Sequence, residues 1–211
     1  AVTSAGLLAA SKNPMAQRES RHSYSISLEQ GEITNQKQSG RCWMFAALNT
    51  FRFEVMKNLN LKTFELSQNY TLFYDKLEKS NYFLESILET LDEPTQGRLI
   101  SFLLSAPLGD GGQWDMLCNL VRKYGVVPKE AMPETVASSA TREMTAALTR
   151  KLREDACRLR KAYADGSTLD ELRKKKEAMM EEIYRILCIC LGEPPKTFDL
   201  CLLYTSPSPR D

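Results

Sequence analysis

The chain has 211 residues, of which 43% are hydrophobic and 26% are charged, a balance typical of a globular protein large enough for one sizeable domain. Its formal net charge of +1 gives no long-range field that would favour nucleic acid or an anionic membrane as the main partner. No apolar run approaches the roughly 20 residues that a transmembrane helix needs, so the sequence predicts no membrane span.

Residues 1–35 are mixed in character and predict little regular structure. We expect a short helix over residues 6–10 and then one edge strand, where Tyr24, Ile26 and Leu28 alternate with serines. The start of the chain has neither a basic segment nor a long apolar run, and it is therefore a poor match to a secretory signal peptide.

Several helices are predicted in the next part of the chain. The first begins near Cys42 and runs to about Asn58, because apolar side chains recur there at helical spacing. Gly125 ends the last helix of this part, at a position where a left-handed residue commonly closes a helix. The remaining helices are expected over residues 67–91, 95–105 and 113–123.

Residues 137–191 predict a long helical hairpin with one apolar stripe on each helix. The turn lies at residues 165–168, where Ser167 or Thr168 caps the second helix, and residues 192–195 stop that helix. The expected apolar positions are Met144, Leu148, Leu152, Ala156, Leu159 and Tyr163 on the first helix, and Leu169, Leu172, Met179, Ile183, Ile186 and Cys190 on the second.

The second helix of the hairpin carries a basic run over residues 173–176. The simplest interpretation of this run is a solvated helix face. The alternative is nucleic-acid binding, which would reveal itself as a steep dependence of affinity on salt. We favour the solvated face.

The cysteines favour a reducing compartment, and hence the cytoplasm, because their spacing indicates no disulfide framework. Cys118, Cys157, Cys188 and Cys190 fall in apolar stretches, where an unpaired cysteine behaves as a small hydrophobic side chain. With one histidine and no pair of cysteines at the spacing of a zinc knuckle, no metal site is expected.

The window over residues 36–46 carries the residue types that indicate chemistry. Acyl transfer by a thiol needs an ionisable nucleophile, donors aimed at the developing oxyanion, and a base. Cys42 meets the first need in part, because a helix dipole favours a thiolate in the first turn of a helix. Gly40 permits a sharp turn into the helix. Gln36, six residues before the cysteine, has the spacing to bring its amide back beside the sulfur as an oxyanion donor.

This pattern of Gln, five residues, Cys and Trp resembles the active site of papain-like cysteine peptidases. Secreted members usually carry Cys-Gly-Ser-Cys-Trp, whereas this chain has Ser39-Gly40-Arg41-Cys42-Trp43, so the disulfide of those members cannot form here. The fuller resemblance is to the branch of bleomycin hydrolase and bacterial aminopeptidase C, and it covers residues 1–199. It is carried by TNQKQSGRCW (34–43), ELSQNY (65–70), FYDKLEKSNYF (73–83) and GDGGQW (109–114).

The resemblance implies an α+β papain-like fold, of which this chain would be a mostly helical part with little sheet. Residues 1–136 would belong to the helical half of the peptidase domain, residues 137–199 would be a helical-hairpin insertion, and residues 200–211 resemble translated sequencing-adapter read-through rather than native chain. It also implies peptide substrates, removal of amino-terminal residues through an acyl-enzyme, no cofactor, and assembly as a homohexamer.

Gly111 and Gly112 match the glycine pair that lies against the substrate backbone in papain-like enzymes. Glycines at such a place let two backbones meet without an intervening Cβ. The alternative interpretation is a plain turn before the next helix. Near these glycines, Asp110 and Asp115 either meet a substrate amine or, as we favour, are solvated surface groups.

Other residues near the motif are expected to have supporting roles. Trp43 and Cys118 are predicted to pack in the core. Lys37 and Arg41 bracket the loop before the nucleophile, and they either stabilise a thiolate charge or face solvent.

The only histidine, His22, precedes Cys42 and is not expected to be the catalytic base. In papain-like enzymes the base and its orienting asparagine follow the nucleophile and come from the second domain. The resemblance therefore implies that residues outside this chain supply them, and that the 211 residues alone are inactive. Two rival functions stay open, an endopeptidase of the same fold and a non-catalytic helical scaffold in which Cys42 merely begins a helix.

Overall fold

The computed structural model describes residues 2–19, 23–26, 28 and 31–200. Contacts divide the chain into two compact units, Ala1–Gln30 and Gly31–Asp211. The first unit contains the short helices α1 (Val2–Ala5), α2 (Leu7–Ala10) and α3 (Pro14–Glu19). The helix expected over residues 6–10 is thus confirmed, with Leu7 as its first residue. His22 and residues 201–211 lie outside the described residues.

The predicted edge strand over residues 24–28 is wrong for the described residues, because none of residues 23–26 or 28 is in a strand. Tyr24, Ile26 and Leu28 are all exposed. A strand needs a neighbour to pair its backbone groups, and the described residues contain no strand that could provide one. The alternation of apolar and polar residues fits a strand, but alternation alone does not provide the neighbouring strand that pairing requires.

The second unit is a helical assembly. In its described residues it has no strand, and the only bridges join Gln38 to Ala140 and Leu66 to Pro128. Its elements are α4 (Cys42–Asn58), α5 (Gln68–Glu89), α6 (Arg98–Ser105), α7 (Trp114–Tyr124), a 3-10 turn (Lys129–Ala131), α8 (Val136–Ser139), α9 (Arg142–Ala164) and α10 (Leu169–Leu191).

Helix α5 is the centre of this unit and packs against α4, α6, α7, α9 and α10. Ser67 caps it by accepting a hydrogen bond from the Tyr70 amide at 3.0 Å. Apolar side chains from all of these helices form one core, and fully burying a large apolar side chain contributes roughly 1.5–3 kcal/mol. Because α5 carries core side chains on several of its faces, it fixes the relative positions of α4 and α7.

Helices α9 and α10 form the predicted hairpin, and its turn resolves the choice of cap. Thr168, not Ser167, caps α10, because its hydroxyl accepts from the Glu171 amide while the Glu171 carboxylate accepts from the Thr168 amide. The hairpin shares its core with α4 and α5 and belongs to the same compact unit. Its assignment as a separate insertion over residues 137–199 stays a prediction.

The apolar stripes of the hairpin are confirmed over most of their length. On α9 only Tyr163, the last expected position, is exposed. On α10 Leu169 is exposed, and the end of the stripe runs through Leu187 and Leu191 rather than Ile186 and Cys190, which lie at its edge. Ile183, Leu187 and Leu191 are spaced four residues apart, and this spacing keeps all three on the buried face of α10.

The basic run on α10 is not uniformly solvated. Lys176 is only 8% exposed and pairs with Glu85 of α5, which also lies 3.4 Å from Arg173. The solvated-face interpretation is therefore wrong at Lys176. The positive charge of Lys176 is paired with Glu85 and is not available to a phosphate, which weakens the nucleic-acid alternative as well.

Candidate active site

Cys42 is the first residue of α4, and its side chain is an exposed, unpaired thiol. The helix starts there because the amides of Met44 and Phe45 both donate to the Arg41 carbonyl at 3.0 Å. A thiol in this place is open to an incoming substrate and lies at the positive end of the helix dipole. The predicted start of the nucleophile helix is confirmed.

Arg41, the residue before the thiol, does not face solvent. It is 1% exposed, and its guanidinium donates to both carboxylate oxygens of Glu134 at 2.8 and 2.7 Å. It also lies 4.9 Å from the centroid of the Phe45 ring. The solvent-facing role expected for Arg41 is therefore wrong, because its charge is paired with Glu134 and is held away from water. Its role in stabilising a thiolate stays a prediction. Lys37 is exposed, with a left-handed φ of 51°.

Gln36 and Ser39 form the turn that leads to Cys42. The Ser39 hydroxyl donates to the Gln36 carbonyl at 2.6 Å and accepts from Arg41 Nε at 2.9 Å. A buried serine thus organises the turn at the place where secreted relatives would carry a disulfide cysteine. Gln36 itself is half-buried, and the role of its amide as an oxyanion donor stays a prediction.

The glycine loop, residues 109–112, lies directly against this turn and the start of α4. The Gly40 amide donates to Asp110 Oδ2 at 2.9 Å, and the Trp43 indole N–H donates to the Asp110 carbonyl at 2.8 Å. A Cβ added to Gly40 would be 2.8 Å from Asp110 Cβ. The turn before α4 and the start of α4 are therefore in direct contact with the glycine loop, although Gly40 and Asp110 are 70 residues apart in the sequence.

The two glycines predicted to face substrate have different surroundings. Gly111 is exposed, and a Cβ there would meet nothing within 4 Å. A Cβ on Gly112 would collide with the Trp43 ring. Open space for a substrate backbone therefore lies at Gly111, whereas the structure needs glycine at position 112 for packing. Trp43 packs as predicted. The contribution of either glycine to substrate binding stays a prediction.

Asp110 is the centre of the polar contacts at this site. Besides Gly40, its carboxylate accepts from Lys76 Nζ at 2.5 Å and from the Thr141 hydroxyl at 2.5 Å. Although burial opposes ionisation, these donors lower the pKa of Asp110 to about 2. The expectation that Asp110 is a solvated surface group is wrong. Asp115, in the first turn of α7, is exposed.

The other cysteines differ in exposure. Cys118, Cys188 and Cys190 are half-buried. Cys188 and Cys190 pack against the core, as expected of small hydrophobic side chains, whereas the predicted core packing of Cys118 stays a prediction. Cys157 is exposed, so its assignment to the apolar group is wrong. Its position beside buried Ala156 and exposed Arg158 places it at the boundary of the α9 stripe.

Sequence reasoning missed the residues that tie the site together, namely Lys76, Lys79, Glu134 and Thr141. One signal for Lys76 was present. It belongs to a series of residues spaced four apart on one face of α5, and all of them are buried: Leu72, Lys76, Ser80 and Leu84. A lysine on the buried stripe of a helix predicts a paired internal cation.

Within the parts of the chain that the structure describes, no group of three or more His, Cys, Asp or Glu side chains could hold a metal ion. Over the same residues, no helix has the length and apolar character needed to cross a membrane.

Comparisons with known proteins agree with this geometry. The model of the Peptidase C1-like family matches residues 1–206. Aminopeptidase C of Listeria monocytogenes is 52% identical over 194 residues, which are 92% of this chain and 43% of that protein. Human bleomycin hydrolase is 49% identical over 177 residues, which are 83% of this chain and 39% of that protein.

A solved structure shows the same fold. The crystal structure of PepW from Lactobacillus rhamnosis HN001 superimposes with a TM-score of 0.87 at 50% identity, over 94% of this chain and 45% of that one. The chain therefore spans less than half the length of each of these three proteins. The resemblance to the bleomycin hydrolase and aminopeptidase C branch is confirmed, as is a mostly helical part of a papain-like α+β fold.

Proposed function

The chain belongs to the Peptidase C1-like family, and we propose that in a full-length protein it supplies the nucleophile of a cysteine aminopeptidase. The observation that carries the proposal is the exposed, unpaired thiol of Cys42 at the first residue of α4, with the glycine loop fixed beside it. Its similarity to aminopeptidase C and to bleomycin hydrolase supports the same reaction class.

In the proposed reaction, the base takes the proton of the Cys42 thiol, and Sγ attacks the carbonyl carbon of the first residue of a peptide. The bond between this carbon and the nitrogen of the second residue breaks, a thioester forms on Cys42, and the amine leaves with the proton from the base. Water then hydrolyses the thioester, which releases the first residue as a free amino acid and restores the thiol. The Cys42 amide and the Gln36 side chain would donate to the oxyanion of both tetrahedral intermediates, and Gly111 would face the substrate backbone.

The base is proposed to come from outside these 211 residues, because the only histidine, His22, precedes Cys42. A thiol without an imidazole within hydrogen-bond reach lacks both the partner that forms the thiolate and the acid that protonates the leaving amine. We therefore propose that the 211 residues alone do not turn over peptides.

Assembly and location are proposed from the resemblance. A homohexamer would give a mass six times that of one subunit, which light scattering of a full-length protein measures. A cytoplasmic location is supported by five cysteines of the described residues that are all unpaired and by Ser39 in place of a disulfide cysteine.

A fluorogenic aminoacyl substrate tests the function. A full-length protein is expected to release the fluorophore, Cys42→Ala is expected to abolish release, and Cys118→Ala is expected to retain it. Release by Cys42→Ala would overturn the proposal. A substrate with a blocked amino terminus distinguishes the endopeptidase rival, because an aminopeptidase should leave it intact.

A further inference from the structure

The glycine loop is held mainly from α5, through two lysines that the proposed chemistry does not use. Lys76 Nζ donates to the Gly109 carbonyl at 2.8 Å and to Asp110 Oδ1 at 2.5 Å. Lys79 Nζ donates to the Gly109 carbonyl at 3.1 Å and to the Gly111 carbonyl at 2.7 Å. Two adjacent turns of one helix thus bind the carbonyls of Gly109 and Gly111 and the side chain of Asp110 between them.

Lys76 is 0% exposed, and a buried ammonium is costly unless it is paired and hydrogen-bonded. Burial lowers the pKa of Lys76, against the opposing effect of Asp110. Its acceptors named above all belong to the glycine loop. Movement of the loop away from α5 would therefore take both hydrogen-bond acceptors named above from a buried ammonium and leave only the nearby Asp75 carboxylate to offset its charge.

Asp110 extends this connection to the nucleophile. The carboxylate that pairs with Lys76 also accepts from the Gly40 amide, two residues before Cys42, and from Thr141 at the start of α9. The Asp110 carbonyl accepts from the indole of Trp43, one residue after Cys42. One residue thus contacts the chain on both sides of the thiol.

Such a connection matters because the loop is rich in glycine. Gly109, Gly111 and Gly112 lose more backbone freedom on ordering than other residues do. A substrate backbone binds more tightly to donors and acceptors whose positions are already fixed, because less ordering then has to accompany binding. Lys79 donates a hydrogen bond to the carbonyl of Gly111, so the orientation of that peptide group is set before substrate binds.

We propose that the buried Lys76–Asp110 pair is a positioning pair that holds the substrate-facing glycine loop at a fixed place beside Cys42. The inference rests on the proposed function, since it assigns the pair a role in binding the substrate of that site. Neither residue touches the reacting atoms. Their loss changes how a peptide is held, and it leaves the reactivity of the thiol toward a small reagent unchanged.

The test uses a full-length protein that carries these residues. The double variant Lys76→Met/Asp110→Asn removes both charges together, so that no unpaired buried charge remains. The matched control is Lys176→Met/Glu85→Gln, which neutralises a second ion pair between a buried lysine and a carboxylate, joining α10 to α5. Three readouts are compared: kcat and KM on an aminoacyl substrate, the rate of Cys42 alkylation by iodoacetamide, and amide exchange over residues 109–112.

The double variant is expected to lower kcat/KM roughly 10- to 100-fold, mainly through KM, because small displacements of a bound substrate have effects of this size. Amide exchange in the loop is expected to rise about tenfold as the loop opens locally. Alkylation is expected to stay within about twofold of wild type, because neither residue of the pair touches the thiol, and effects at sites without shared contacts rarely exceed this size. The control is also expected to stay within about twofold in all readouts, because it neutralises a pair that joins α10 to α5 and does not contact the glycine loop.

A folded double variant with unchanged kcat/KM overturns the inference, and so does one in which alkylation falls as much as kcat/KM. If the double variant does not fold, Lys79→Met/Asp75→Asn replaces it, since Lys79 holds the same loop without being fully buried and its buried partner Asp75 is neutralised with it. An unchanged KM in that variant, together with raised amide exchange over residues 109–112, overturns the inference equally, because the loop would then be released without any effect on binding. A wild-type protein without Cys42-dependent turnover overturns the proposed function itself, which separates the two failures.

Discussion

Gly112 lies so close to the indole of Trp43 that an added Cβ would be 2.5 Å from both Cε2 and Cζ2 of the ring. Gly111, one residue earlier, has nothing within 4 Å of the same atom. The resemblance treats the two glycines as one substrate-facing pair, but the structure gives them separate requirements. Gly112 makes room for Trp43, the residue after Cys42, and Gly111 is open.

Alanine at each position separates these requirements. Gly112→Ala is expected to lower the free energy of unfolding by about 1–3 kcal/mol, because the ring and the loop must shift to admit the methyl group. Gly111→Ala is expected to leave stability unchanged and to raise KM in an active full-length protein. Thermal and denaturant unfolding of both variants measures the difference. Equal stabilities would mean that the Trp43 contact is not a constraint.

The Arg41–Glu134 pair is expected to be a large contributor to stability. Glu134→Gln leaves the guanidinium of Arg41 buried with only a neutral acceptor, and removing one member of a buried pair typically costs about 3–5 kcal/mol. The control is Glu154→Gln, which breaks the exposed pair with Arg158 on α9 and should cost less than about 1 kcal/mol. A denaturant midpoint for Glu134→Gln close to that of the control would contradict the prediction.

Acid should remove the stabilisation that Asp110 provides. Its pKa in the folded protein is lowered to about 2, against 3.8 for an ordinary aspartate. A lowered folded pKa stabilises the protein above the ordinary value, and the stabilisation is lost as the pH falls toward the folded value. The stability difference between wild type and Asp110→Asn should therefore be full at pH 5 and shrink between about pH 4 and pH 2.

Denaturant titrations at several pH values measure this difference. Asp199→Asn, at an exposed position outside the helices, serves as the control, and its difference from wild type should not shrink in the same way. A constant difference for Asp110→Asn down to pH 2 would show that the carboxylate charge is not what stabilises the loop.

The sequence was informative where local pattern decides structure. The apolar spacing after Cys42 predicted both ends of α4, and the two stripes with a polar break predicted the hairpin. It failed where contacts join distant parts of the chain. Arg41 and Glu134 are 93 residues apart, and Gly40 and Asp110 are 70 apart, so no periodicity links them. The local sequence around Asp110 favours a solvated position, because burial of a charge depends on a partner that local sequence does not show.

The turn of the hairpin offers a direct test of a local choice that the sequence left open. Thr168→Ala removes the capping hydroxyl of α10 and is expected to cost about 1 kcal/mol. Ser167→Ala is expected to have little effect, because the Ser167 hydroxyl makes only a 3.4 Å contact with exposed Lys175. Chemical unfolding of the two variants under the same conditions compares them. A larger loss in Ser167→Ala would place the cap one residue earlier.

Alkylation of the folded 211-residue chain should distinguish its cysteines. Among the five cysteines that the structure describes, Cys42 and Cys157 are exposed and should react before the other three with iodoacetamide. Burial raises the pKa of Cys188 and of Cys190, so less of each thiol is ionised at neutral pH and both should react slowly. Their rates should rise as the pH increases, since the thiolate is the reacting form.

A peptidyl epoxide distinguishes Cys42 from Cys157, because Cys157 has no glycine loop beside it to hold a peptide. Mass spectrometry after limited reaction should find the epoxide on Cys42 in excess over Cys157. Equal labelling would favour the scaffold interpretation, in which Cys42 is an accessible thiol with no binding surface beside it.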